Sequence, residues 1–136
     1  MKQLGQLLPL VAVVACSVNP FAATVENVAG DYTAHFLMTN DSSGAVDWIA
    51  HGATLTLGLA RDGSTSGHLF LPGGGAGGAD VSADLAGIWL LVGSTVSFGQ
   101  NADTFVRSMD FVPSPDRLSG DHTFADGKRV RVVLTK

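Results

Sequence analysis

Val28-Ala29-Gly30-Asp31-Tyr32 in the first half of the chain is echoed by Leu85-Ala86-Gly87-Ile88-Trp89 in the second, and each opens a run of short alternating strands. Glycine lets the backbone turn sharply where a strand begins, and an aromatic two positions later can plug one end of a barrel interior. Between the two echoes lies the most regular hairpin of the chain. Ala53 to Ala60 alternates strictly with Leu55, Leu57 and Leu59 on one face, Asp62-Gly63 supplies a turn, and Ser64 to Leu71 returns with Leu69 and Leu71. One face of that hairpin is buried and the other is wet.

Outward from the hairpin the same plan recurs. A first strand is expected from about Gly30 to Thr39, followed by a loop at Asn40-Asp41-Ser42-Ser43-Gly44, and the stretch from Ala45 to His51 has no clear period. Pro72 stops the second arm of the hairpin, and the loop Gly73 to Gly78 divides the two halves. That loop lacks the Lys-Ser/Thr of a phosphate cradle and leads into no helix. The second half reads as strands at Gly87 to Val92, Thr95 to Phe98, Thr104 to Val112, Leu118 to Phe124 and Arg129 to Thr135. The turns between them fall at Gly93-Ser94, Gln100 to Asp103, Pro113 to Arg117 and Asp126-Gly127. About eight strands joined without helix-length crossovers predict an all-β, antiparallel up-and-down barrel, because closure removes exposed edges. The alternative is an open two-sheet sandwich.

The N-terminal segment stands apart from this domain. Met1-Lys2-Gln3 is a short basic start, and Leu7 to Ala15 is apolar but too short to span a bilayer, which together predict a cleavable export signal. The only cysteine, Cys16, follows Val13-Val14-Ala15 and resembles a bacterial lipobox, in which the cysteine is acylated and becomes the new N-terminus. Acylation at Cys16 would also remove an unpaired thiol from an oxidising compartment. The expected organisation is a signal over 1–16, a tether over 17–27 and a barrel over 28–136, attached to a membrane through Cys16 on the periplasmic side of the cell envelope. Cleavage after Ala22 or Ala23, giving a soluble secreted protein, is the other reading, and Pro20 or Phe21 at the third position before the cut suits it poorly.

Eight Lys and Arg against twelve Asp and Glu give a net charge of −4, and the basic residues are scattered apart from Lys128-Arg129 and Arg131. Nucleic acid is therefore not an expected partner, since phosphate binding requires clustered cations. A charged fraction of 15% with 17 glycines suits an ordered β domain.

Gly30-x-Tyr32, the Leu55-x-Leu57-x-Leu59-x-x-Asp62-Gly63-x-x-x-Gly67 hairpin and Gly87-x-Trp89-x-x-x-Gly93-x-x-Val96-x-Phe98 together resemble the lipocalin-like (calycin) barrels of bacterial envelope proteins, over the span from about Val28 to Lys136. The resemblance implies an up-and-down barrel with an apolar interior that holds a small hydrophobic molecule. The domain is short for a full lipocalin and shows no C-terminal helix, so the interior is either a small cavity or filled with side chains.

The candidate ligand-binding residues are Tyr32, Phe36, Leu57, Trp89, Phe98, Phe105, Arg107 and Phe111, with Trp48 adding to the aromatic lining. Read as a strand, Thr104 to Val112 puts Phe105, Arg107, Met109 and Phe111 on one apolar face and sends a guanidinium inward. There Arg107 would grip a ligand carboxylate, since a buried arginine needs a partner. Alternatively, as the lipocalin resemblance implies, it would cap the barrel end or stack on Trp89. The four histidines, His35, His51, His68 and His122, show no i, i+2 pair on a strand face, and default to solvent-exposed positions without metal. No Gly-x-Ser-x-Gly elbow appears, and no enzymatic activity and no cofactor are expected. Two functions remain: an exported, lipid-anchored barrel binding a small hydrophobic or carboxylated molecule, and a structural or interaction protein of the envelope with a filled barrel.

Overall fold

The computed structural model describes residues 21–136. Among them, a single helical turn α1 (Val25–Val28) is followed by ten strands: β1 (Gly30–Asp41), β2 (Gly44–Asp47), β3 (Thr54–Leu59), β4 (Ser64–Leu71), β5 (Val81–Asp84), β6 (Gly87–Val92), β7 (Thr95–Gln100), β8 (Phe111–Ser114), β9 (Arg117–Thr123) and β10 (Arg129–Thr135). Eight of these, β1, β3, β4 and β6 to β10, form an antiparallel circuit that β10 closes on β1. The protein is an eight-stranded β-barrel with β2 and β5 outside the circuit.

Both extra strands occupy edges that the barrel leaves free. β10 covers one edge of β1 from Thr33 to Asn40, so β3 (against residues 30–33) and β2 (against residues 38–41) share the other edge. β4 behaves alike. Its first residues, Ser64 and Thr65, pair with β6, and its last, His68 to Leu71, pair with β5. The expected hairpin is found as read, Leu55 opposite Leu69 and Leu57 opposite Gly67.

Alternation along the strands sorts the core. Leu55, Leu57, Leu59 and Leu69 are at most 2% exposed, while Thr54, Thr56 and Ser66 face water. Each fully buried leucine contributes roughly 1.5–3 kcal/mol relative to an exposed one. Tyr32, Trp89, Val96, Phe111, Leu118, Val130, Val132 and Leu134 complete a side-chain-filled interior. Phe98 and Phe111 meet edge to face, 5.5 Å between centroids. Gly120 makes this packing possible, because a Cβ there would fall within about 3 Å of the Met109 methyl and the Phe111 ring.

Three expectations are corrected. First, residues 104–110 are turns and β8 begins only at Phe111. Second, Pro113 and Ser114 belong to β8 and not to a turn. Third, Phe36 points outward and is 38% exposed. The register of β1 against β10 slips between Ala34 and Phe36, so the bulge at His35 carries Leu37 inward in place of Phe36. The helical turn α1 precedes β1, capped by Thr24 Oγ1 accepting from the Asn27 N–H at 3.2 Å. The expected signal and lipidated Cys16 lie outside the described residues.

Candidate functional site

Residues of β1, β4 and β10 meet at one end of the barrel with Trp48, Gly74 and residues of the segments 103–108 and 124–128. A hollow of about 320 Å³ opens among them. Its apolar walls are Leu37 from β1, Trp48, Leu71 from β4, Phe105, Phe124 and Val130 from β10. Polar groups are placed at the rim by Thr39, Asp103, Thr104, Ser108, Asp126 and Lys128. Such a mixture, apolar walls with a few polar groups at the edge, is what small-molecule sites present.

Each wall residue is positioned by local chemistry. Trp48 continues the β2 ladder, its N–H donating to the Leu37 carbonyl at 2.9 Å, and its indole N–H donates to Thr39 Oγ1 at 2.8 Å. Gly74 allows the glycine-rich segment to press on this wall: a Cβ there would come within 2.8 Å of Leu71 Cβ and 3.4 Å of the Trp48 ring. That segment is tied down by Gly73 N–H donating to Asp80 Oδ1 at 2.8 Å and Gly75 N–H to the Ala79 carbonyl at 2.7 Å.

Phe124 and Lys128 flank an Asp-Gly turn. Gly127 takes φ +90°, a left-handed conformation that glycine adopts without penalty, and Asp126 Oδ1 accepts from the Lys128 N–H at 2.9 Å. The Phe124 N–H donates to the Lys128 carbonyl at 2.8 Å and closes the hairpin.

The third wall is the segment 101–110. Two successive turns, Ser108 N–H to the Phe105 carbonyl and Met109 N–H to the Val106 carbonyl, give it a spacing of three. Val106 and Met109 are thereby sunk into the core at 0% and 1% exposure, Phe105 and Ser108 face the hollow, and Arg107 turns to solvent. Arg107 neither enters the barrel nor covers Trp89. Its Nη2 donates to Asp103 Oδ1 at 2.7 Å, an i, i+4 pair whose side chains are 38% and 84% exposed. An ion pair that exposed contributes little to stability. Trp89 is anchored instead by its own indole N–H, which donates to the Ala60 carbonyl at 2.7 Å.

Of the residues picked from the sequence, Phe105 lines the hollow, as does Trp48. Tyr32, Leu57, Trp89 and Phe111 are buried in the filled interior, and Phe98 is partly buried against it. Phe36 lies on the outer wall, where the Arg131 guanidinium sits 5.5 Å from its ring centroid. With Val112 and Val133 it borders an outer depression of about 440 Å³ over the small residues Ser119 and Gly120. Lys128 and Phe124 are not among those residues; both flank an Asp-Gly turn at a strand end, and Lys128 belongs to the basic group with Arg129 and Arg131. No protein-family model, curated protein or solved structure matches the chain.

Proposed function

We propose that this chain is a lipocalin-like binding module of the bacterial cell envelope, exported and held to a membrane by acylated Cys16, which takes up a small hydrophobic or carboxylated molecule at the open end of its barrel. The hollow of about 320 Å³ walled by Trp48, Phe105 and Phe124 carries this reading. Its volume lies at the lower end of the range for ligand pockets, roughly 300–1,000 Å³. Among the described residues Lys128 is the one cation on its rim, and Asp103 already has Arg107 as a partner, so a ligand carboxylate is matched by Lys128. Lys128 replaces Arg107 in the role of anchor.

Titration with a dansylated fatty acid tests the reading. Phe105→Ala should weaken binding by roughly 1–2 kcal/mol through lost apolar contact. Lys128→Gln should lower affinity for the carboxylate by about 1 kcal/mol and leave its neutral methyl ester unaffected. A wild-type protein that binds neither probe would overturn the ligand reading. Acylation is tested separately by mass spectrometry of the membrane fraction, where a mature chain starting beyond Cys16 would refute the anchor.

The second reading, an interaction protein with a filled barrel, is favoured by one observation. The interior proper is packed with side chains, and the outer wall exposes Phe36 and Val112 together with Ile88, Leu90 and Val92 on β6. Large apolar side chains left on the surface suit a protein partner.

A further inference from the structure

On the outer face of the barrel, away from the hollow, register brings His68 together with two residues of β5 some fourteen to sixteen positions further along the chain. His68 on β4 is directly opposite Asp84 on β5, and Ser82 is two residues before Asp84 on the same face. Asp84 Oδ1 is 2.9 Å from His68 Nδ1, and Ser82 Oγ is 2.9 Å from His68 Nε2. An ionised carboxylate only accepts, so Asp84 fixes the proton on Nδ1 and leaves the Nε2 lone pair to accept from the Ser82 hydroxyl. We infer that Ser82, His68 and Asp84 form an ester-hydrolysing site, with Ser82 as nucleophile, His68 as general base and Asp84 as the residue that orients the imidazole.

The surroundings supply two further elements. The Leu85 N–H donates to the Gly67 carbonyl at 3.0 Å, so alternation turns the N–H groups of Val81 and Ala83 toward β4 and those of Ser82 and Asp84 toward the opposite edge. Among the described residues no strand pairs along that edge of β5. The Ser82 N–H is therefore available to a negative oxygen forming at the carbonyl that Ser82 attacks. Phe70, opposite Ser82 in register and on the same face as His68, sets a half-buried ring beside the hydroxyl. The face is open, with no deep pocket, which selects small esters bearing an apolar acyl or aryl group.

In the reaction, Ser82 Oγ bonds to the ester carbonyl carbon while its proton passes to His68 Nε2 and the carbonyl π pair moves onto oxygen beside the Ser82 N–H. Collapse restores the C=O bond and breaks the bond to the alcohol oxygen, which leaves with the proton from His68. Water then attacks the acyl-serine with His68 again as base, releasing the acid and restoring the serine. The sum is ester plus water to acid plus alcohol.

The test is hydrolysis of p-nitrophenyl butyrate, together with labelling by a fluorophosphonate probe and peptide mapping. Wild-type protein should turn over the ester and carry the label on Ser82. Ser82→Ala should fall to the buffer rate, and His68→Gln should lose on the order of 10²-fold or more, the usual worth of a positioned base. Asp84→Asn should lose on the order of tenfold or more by releasing the imidazole. Ser66→Ala, on the same outer face but outside the cluster, should match wild type in rate and melting temperature. Turnover that survives in Ser82→Ala, a label on another residue, or a wild-type rate no higher than buffer would each overturn the assignment, and the labelling stands even if one variant fails to fold.

Discussion

The segments Val28 to Tyr32 and Leu85 to Trp89 share one sequence rhythm and nearly the same burial, yet they are held in different ways. In both, the leading aliphatic residue is 0% exposed, the glycine adopts a positive φ (+149° at Gly30, +158° at Gly87), and the aromatic is at most 3% exposed. In both, the polar head of the aromatic finds a backbone carbonyl. Tyr32 O–H donates to Val28, four residues back in its own segment, at 2.6 Å. Trp89 reaches Ala60 at the turn between β3 and β4, and Leu85 is fixed from the same hairpin by Gly67 and by Thr65 Oγ1, which donates to its carbonyl at 2.8 Å. Both copies pair with the hairpin, but the first satisfies the polar head of its aromatic within its own segment, whereas the second takes that partner from the hairpin, some thirty residues away.

The glycines make the contrast sharpest. A Cβ on Gly87 would fall 2.5 Å from the Gly99 carbonyl oxygen and 2.6 Å from Gln100 Cα, both of them backbone. Gly87→Ala should therefore cost about 3 kcal/mol or more in urea unfolding, since β7 must move. A loss below about 1 kcal/mol would mean that the second copy is as pliable as the first. Trp89→Phe comes next, at about 2–3 kcal/mol, because it trims a buried ring and leaves the Ala60 carbonyl without its indole partner. Tyr32→Phe removes only a hydroxyl and should cost about 1–2 kcal/mol.

Tyr32 also carries a pH signature. Burial, aided by the negative charge of Asp116, pushes its hydroxyl up to about 12 from an ordinary 10. The folded state then keeps a proton that the unfolded chain loses, so stability is complete below pH 10 and declines as the pH rises from there to about 12. Alkaline unfolding should flatten over that window in Tyr32→Phe and stay unchanged in Trp89→Phe. The smallest effect belongs to Gly30→Ala, at about 1 kcal/mol of backbone strain, because its Cβ would meet only the Lys136 side chain, which can swing aside. Equal losses at Gly30 and Gly87 would erase the distinction between the two copies.

What was legible in the sequence is what period and turn chemistry encode. Leu55 to Leu71 and Arg129 to Thr135 alternate over enough residues, between unambiguous turns, that both elements and faces follow. Thr104 to Val112 misled because Phe105, Arg107, Met109 and Phe111 alternate by accident while the residues actually buried, Val106 and Met109, are spaced by three. A period of two and a turn cannot be told apart in so few residues. Phe36 faced the wrong way because a one-residue bulge reverses every later side chain and leaves no mark in composition. β5, four residues long behind a glycine-rich segment, is too short to show a period. The meeting of Ser82, Asp84 and His68 was beyond reach for the same reason, since it exists only once β5 is known to pair with β4.

One seam of the barrel has a consequence for its motion. β7 and β8 are joined by the single residue pair Val96 and Phe111, whereas β10 is laced to β9 over seven pairs and to β1 over as many. Amide hydrogens along a seam so thinly bonded exchange through local opening, well before the rest of the wall yields. The segment 101–110 joins these two strands and carries Phe105 into the hollow. A molecule seated against Phe105 would act as a staple across the wall, and amide protection of Val96 and Phe111 would rise with its occupancy.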